Sequence, residues 1–250
     1  MQSRSLRFYA ALTLFGVFFL LCTALGTWQV ERRAWKLALI ERVDARVHAA
    51  PGPAPDPLQW PHVNAANNEY LHVTLTGRFL HRAQTLVEAS TELGPGWWVM
   101  TPLQLADGNI VFVNRGFVTS MPKAQADAPM PITVTGLLRM SEPHGRFMRT
   151  NDPKNNRWFS RDVTAIAAAQ NLPAARIAPW FLDADAANAQ ATETAHAGQA
   201  QEVADEPIGG LTVISFYNHH LTYILTWYTL ALMSAGAIVY LIRSERRRQQ

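Results

Sequence analysis

Two long stretches without a charged side chain constrain this chain more than anything else in it. Arg7 is followed by no Asp, Glu, Lys or Arg until Glu31, and Glu206 by none until Arg243. Within them, Phe8 to Trp28 and Leu221 to Ile242 are each about twenty apolar residues. At roughly 1.5 Å rise per residue, each covers the roughly 30 Å hydrocarbon core of a bilayer. A cleaved signal peptide is the rival reading of the first. Its run is longer than a signal core, and the sequence after it (TWQVERRAW) continues helical without a small-residue cleavage site. The first stretch is therefore read as a retained anchor. The low charged content, 16%, follows from these two segments.

The pI of 9.2 invites a nucleic-acid reading, and charge position argues against it. Residues 1–46 carry seven Lys/Arg against three acids, and residues 208–250 carry four against one. The middle is acidic, eleven against fifteen. Basic flanks of apolar segments are topology signals, whereas a phosphate-gripping protein is basic on its folded domain. No nucleic-acid partner is expected. No Lys or Arg lies between Val203 and His220, and Arg243, Arg246, Arg247 and Arg248 follow the second span. The C-terminus is thus expected in the cytoplasm, the N-terminus with Arg4 and Arg7 beside it, and the middle outside: in a bacterium, the periplasm. Arg32, Arg33 and Lys36 run against this pattern, which a long translocated domain tolerates. No Arg/Ser-rich transit peptide precedes the first span, so a mitochondrial precursor is not expected.

The expected fold is an α+β membrane protein. Two transmembrane helices flank a β-rich extracytoplasmic domain, a small antiparallel barrel or sandwich. Runs with Val, Thr and aromatic residues predict strands at 70–77, 84–88, 97–105, 110–118, 132–140 and within 174–183. Gly94-Pro95-Gly96 and Asp107-Gly108-Asn109 read as turns between them. Asp162 reads as the N-cap of a helix to Gln170. The expected order is a cytoplasmic N-terminus (1–7), transmembrane helix (8–30), juxtamembrane helix (31–50), Pro-rich linker (51–61) and β-rich domain (62–183). A flexible Ala-rich insertion (184–206), a return segment (207–220), a second transmembrane helix (221–242) and a basic tail (243–250) follow.

Enzyme signatures are absent: no G-x-S-x-G, H-E-x-x-H, Walker loop or G-x-G-x-x-G occurs. The one cysteine, Cys22, lies inside the first span, so there is no intrachain disulfide and no thiolate pair for copper. Of the eight histidines, His72 reads as a half-exposed strand residue. His62, His81 and His144 lie near turns, and His196 is solvated in the insertion. His220 differs. It opens the second span, and His220, Tyr223, Ile224 and Trp227 share i, i+3, i+4, i+7 spacing. Ionisable residues at a membrane segment are costly and usually functional. Neutral imidazole is a haem-iron ligand. Tyr223 and Trp227 would then wall a slot for a macrocycle, and Arg32, Arg33 and Lys36 would pair with its propionates. The competing reading makes His220, Tyr223 and Trp227 headgroup anchors, as Trp28 and Trp35 are.

Three motifs resemble the Surfeit locus protein 1 family: Gly26-x-Trp28-Gln29-x-x-Arg32-x-x-Trp35-Lys36 after the first span, Val113-Asn114-Arg115-Gly116-Phe117-Val118 in the middle, and Asn218-x-His220-Leu221-x-Tyr223-x-x-Thr226-Trp227-Tyr228 entering the second. The resemblance spans nearly the whole chain, in order. It implies an assembly factor for cytochrome c oxidase that binds haem a, with His220 as iron ligand and the oxidase catalytic subunit and haem a synthase as partners beside the lipid bilayer. Phe117 stands where many members have Trp, and 184–206 looks like an insertion. For Asn114, Arg115 and Gly116 the structural reading is a strand end and turn, and the functional one puts Arg115 on a propionate or partner. The rival to haem binding is a cofactor-free scaffold, with Ser234, Ala235 and Gly236 serving close helix approach.

Overall fold

The computed structural model describes residues 6–122, 126–127, 129–143, 145, 149–186, 207–210 and 219–248. His144, His196, Asn218 and nearly all of the Ala-rich insertion lie outside them. Two compact units emerge: one from residues 1–43 and 214–250, the other from 44–213.

The first unit is a pair of helices, α1 (Leu6–Val47) and α4 (His220–Arg248). Both are long and apolar enough to cross a membrane. α1 is one uninterrupted helix, so the juxtamembrane helix expected after the first span is that span's own continuation. Nothing between Trp28 and Val47 breaks it: there is no Gly or Pro, and Glu, Arg, Lys, Leu and Ala all favour helix. The pair is antiparallel, because Phe15 meets Ser234 while Gln29 meets His220. Cys22, Gly26 and Gln29 are buried on α1, and Ala231 and Ser234 on α4. Their spacings alternate four and three, the seam of interlocked helices. Gly26 permits the approach, since a Cβ there would stand 3.1 Å from the Tyr228 ring. Ser234 Oγ donates to the Phe15 carbonyl at 2.8 Å. Leu14, Leu20, Leu225, Leu232 and Met233 point outward, which suits lipid rather than water.

The second unit is a closed barrel. Its strands are β1 (Gly52–Pro53), β2 (His72–Phe79), β3 (Thr85–Thr91), β4 (Gly94–Leu105), β5 (Ile110–Val118), β6 (Ile132–Met140) and β7 (Ile177–Ala184). A single helical turn, α2 (Ala65–Asn68), precedes β2. The strands run β1-β2-β6-β7-β5-β4-β3, and a β2–β4 pairing joins five into a ring, β2-β6-β7-β5-β4. Closure removes the exposed edges of those five strands. Gly77 sits at the closing contact, where a Cβ would fall 2.4 Å from the Gln104 carbonyl. Val73, Leu75, Leu103, Val111, Val113, Leu138, Trp180 and Leu182 form one core cluster. The alternate residues Met100, Phe112 and Phe181 pack with Val163, Ile166 and Ala167 of α3 (Val163–Ala169) in a second. Both faces of β5 are thus buried, which is why 110–118 reads as an almost unbroken apolar run. Asp162 caps α3, its Oδ1 accepting from the Ala165 N–H at 3.1 Å.

Three expectations change. The barrel is not wholly antiparallel: β5 and β7 pair in parallel, because the chain between them supplies β6 and α3 before returning. Gly94-Pro95-Gly96 is no turn but the start of β4, paired in that order with Thr91, Ser90 and Ala89 of β3. Proline is tolerated there because the pairing of β4 with β5 begins only at Trp97, so β4 is paired on one side alone at Pro95. Residues 51–61 are not a free linker. Gly52 and Pro53 pair with Val73 and Thr74, and a 3₁₀ turn follows at Pro57–His62 with Asp56 and Gln59 in a capping box. Trp60 and Ala54 pack on the barrel core. The domain therefore begins before residue 62, and Ile208 returns to pair with Phe117.

His72 is the half-buried first residue of β2, as expected, but its ring does more than occupy a strand position. Its Nδ1 stands 2.8 Å from the Ala49 carbonyl and its Nε2 2.8 Å from Asp185 Oδ2. Both partners can only accept when Asp185 is ionised, so both ring nitrogens donate and the ring is an imidazolium. Burial pulls its pKa down; the hydrogen bonds the ring donates to Asp185 and to the Ala49 carbonyl, with the carboxylate charge, outweigh it, and the pKa is raised. A raised histidine pKa gives stability that is complete below the unfolded-state value and lost as pH rises through the folded-state value. His72→Leu is expected to cost about 1.5–3 kcal/mol in acid, the range for hydrogen bonds to charged groups. The gap between the variant and the parent should narrow above pH ~7, starting from the ordinary histidine value. Thermal melts at pH 5.5 and pH 9 check this; an equal gap at both would refute the charged clasp.

Candidate functional site

His220 is the first residue of α4. The ring faces α1, half-buried, and its Nδ1 lies 2.7 Å from Gln29 Oε1. Gln29 is only 8% exposed. A buried amide without a partner is expensive, and here the partner is the histidine 191 residues away in sequence. Continuing along α4, Ile224 and Trp227 are half-buried and Ala231 is buried, so His220 and Trp227 share the seam face. Tyr223 falls off it. It is 53% exposed and flanks the histidine from outside rather than facing it from the seam.

The three cations of α1 separate in the same way. Arg33 and Lys36 are half-buried and continue the spacing of Gly26 and Gln29 toward the C-terminal end of α1. Arg32 lies off that face, its guanidinium 4.1 Å above the Trp35 ring. Trp28 and Trp35 are each about half exposed, on the outward side. The seam side of the two helices thus carries His220, Gln29, Trp227, Arg33 and Lys36, and leaves Arg32, Tyr223, Trp28 and Trp35 outside it.

Asn114, Arg115 and Gly116 belong to the β domain, and their surroundings are structural. Asn114 is buried, donates to Asp183 Oδ1 at 2.8 Å and accepts from the Gly116 N–H at 3.2 Å. Arg115 is also buried, over the Phe79 ring at 5.4 Å with His81 Nδ1 at 3.4 Å. Gly116 takes φ +134°, with the Ile208 backbone where a side chain would go.

Sequence reasoning missed the buried ionic network around Asp183. Its carboxylate accepts from Arg161 Nη1 and Arg139 Nη1, each at 3.1 Å. Arg161 also grips Glu142 at 2.6 Å, and Arg139 reaches Glu69 at 3.4 Å. Burial would lower the Arg161 pKa, but Asp183 and Glu142 beside it raise it further. Burial likewise would raise Glu142, and Arg161 holds it below the ordinary value. An aspartate ending the apolar run Trp180-Phe181-Leu182 was the available signal. The network joins β5, β6 and β7 and is fully paired, so it reads as a clasp.

Other places suit chemistry less well. A cavity of about 420 Å³ opens at the barrel mouth between Trp60, Leu75, Val111 and Trp180. No His, Cys, Met or Tyr lines it, so it offers none of the usual haem-iron ligands. Among the described residues no group of three His, Cys, Asp or Glu could hold a bare metal ion.

Comparison with known proteins meets this architecture from another side. The model of the SURF1 family matches residues 16–232, from the first helix through the barrel into the second. The chain is 34% identical over 228 residues to Surfeit locus protein 1 of Mus musculus, covering 82% of this chain and 67% of the relative. It is 34% identical over 232 residues to Surfeit locus protein 1 of Homo sapiens, covering 83% and 69%. To the SURF1-like protein of Drosophila melanogaster it is 32% identical over 230 residues, covering 83% and 69%. A match that runs from the first apolar helix through the whole barrel into the second leaves one conclusion: this chain belongs to the SURF1 family.

Proposed function

We propose that this protein is a two-pass membrane assembly factor for cytochrome c oxidase that binds haem a through His220 and helps place it in the catalytic subunit. Both termini lie in the cytoplasm of a bacterium, and the barrel lies in the periplasm. The observation that carries the reading is the half-buried imidazole at the start of α4, held by a buried amide across the seam. One ring nitrogen is occupied by Gln29, and the other has no protein partner among the described residues. That donor set fits a haem iron, which asks one nitrogen of a histidine whose other nitrogen is tied.

When bound, haem a supplies redox chemistry to the oxidase that receives it. The chain's own work is to hold and to release. His220 would hold the iron. Trp227, with Tyr223 from outside, would stand beside the bound group, and Arg33 and Lys36 would offer charge to its propionates. Arg32, stacked on Trp35, is withdrawn from that role. The barrel then presents its surface to the nascent oxidase subunit and to the haem a synthase.

The test is to purify the full-length protein from cells that make haem a and record its visible spectrum, then repeat with His220→Ala. Removing the ligand itself should cost at least the about 10–100-fold in affinity typical of losing a ligand's supporting partner, so the haem bands per protein should nearly vanish. Unchanged bands would take His220 out of the role. Oxidase co-purification without haem in the parent protein would favour the cofactor-free scaffold. Ser234, a small residue suited to that scaffold, is already engaged with Phe15 of the same chain.

A further inference from the structure

The contact between Gln29 and His220 specifies more than helix packing. At 2.7 Å the side-chain carbonyl oxygen of Gln29 faces Nδ1 of the imidazole. A carbonyl oxygen has no hydrogen to give, so the hydrogen of this bond sits on Nδ1. In a neutral ring that leaves Nε2 bare, with its lone pair available. Gln29 is buried at a position flanked by Gly26 and Arg33 on the same face of α1. An apolar side chain would fill that place without the cost of desolvating an amide. What the amide adds is direction: it selects one tautomer and fixes the rotation of the ring.

We propose that Gln29 is the positioning residue of the haem site, holding His220 as the Nδ1–H tautomer with Nε2 turned to the iron. This rests on the haem-binding reading above and names the residue through which the ligand is prepared. Gln29 itself touches no iron. It acts through the ring, as the hydrogen-bond partners of metal-bound histidines do.

The experiment titrates full-length protein in detergent with haem a and then measures the midpoint potential of each complex. It uses the parent, His220→Ala, Gln29→Met and Gln29→Glu. Gln29→Met keeps the volume of the seam and removes the acceptor, so Kd should rise about 10–100-fold. Gln29→Glu keeps an acceptor on the same stem. It should bind within a few-fold of the parent, at a lower midpoint potential, because a carboxylate draws the Nδ1 proton and makes the imidazole a stronger donor. A merely structural role for Gln29 would leave the potential of Gln29→Glu unmoved. Parent-like affinity in Gln29→Met overturns the inference. So does equal loss of haem in Gln29→Met and Gln29→Glu, which would show that the acceptor is not what matters. If His220→Ala alone binds like the parent, the haem reading itself falls; if it alone loses haem, only the role of Gln29 does.

Discussion

Asp183→Leu is expected to destabilise the β domain by about 3–5 kcal/mol, the cost of breaking a buried ion pair by removing one partner. The carboxylate is 2% exposed, and donors from different elements converge on it, among them Arg161 before α3, Arg139 on β6 and Asn114 on β5. Leucine would remove every acceptor at once. Arg161 would keep Glu142, and Arg139 would keep Glu69, but the Asn114 amide would lose the carboxylate it donates to. Two guanidiniums would then lean on an apolar side chain in the space they were desolvated to share. Asp183→Asn should cost less, since one amide oxygen still accepts. For a domain of this size the leucine variant should melt about 10 °C or more below the parent, followed by the fluorescence of Trp158 and Trp180, both buried in it. A shift of only a degree or two would mean that the network contributes little beyond packing.

Gly116→Ala should cost about 3 kcal/mol or more, from backbone strain at positive φ added to a forced overlap. The φ of +134° is one an L-residue rarely adopts, and a Cβ there would stand 2.5 Å from the carbonyl carbon and oxygen of Ile208. Those atoms are backbone and cannot swing aside. The neighbouring residues make the bridge that would be pushed apart: Phe117 N–H donates to the Ile208 carbonyl at 3.0 Å, and Ile208 N–H to the Phe117 carbonyl at 2.9 Å. Gly94→Ala supplies the comparison. It too has positive φ, +100°, but nothing lies within 4 Å of the place its new methyl group would take, so it should show the strain alone, about 1–3 kcal/mol. Melting temperatures of the two variants in full-length protein decide it. Equal losses would show that contact with Ile208 adds nothing.

Both predictions concern features that local pattern reads poorly. Asn114-Arg115-Gly116 stood out in the sequence, yet its reason lies in Asp183, 69 residues from Asn114, and in Ile208. The same holds at the candidate site. His220 was legible because an ionisable residue beside an apolar span is rare. Gln29 was legible only as part of a motif. Its role depends on which residue of the other helix stands opposite, and helical periodicity does not carry that information. Tyr223 was grouped with Trp227 because i+3 and i+7 fall near one face. The actual seam, advancing by four and three from His220 through Ile224 and Trp227, leaves Tyr223 at its margin.

By itself the amino-acid sequence determined which segments become long apolar helices, because a run of about twenty residues without charge has few other stable fates. It also determined the Asp107-Gly108 turn, where Gly108 takes φ +81°, and the cap at Asp162, because these depend on neighbours a few residues away. Only the tertiary structure decided that β2 closes on β4, that β5 and β7 run in parallel, that the Pro-rich stretch packs on the barrel and that Gln29 meets His220. Each of those pairs residues far apart along the chain. Which distant partners meet is settled by the packing of whole apolar faces against one another, against the entropy of closing long loops, and neither quantity is written in any short window of residues.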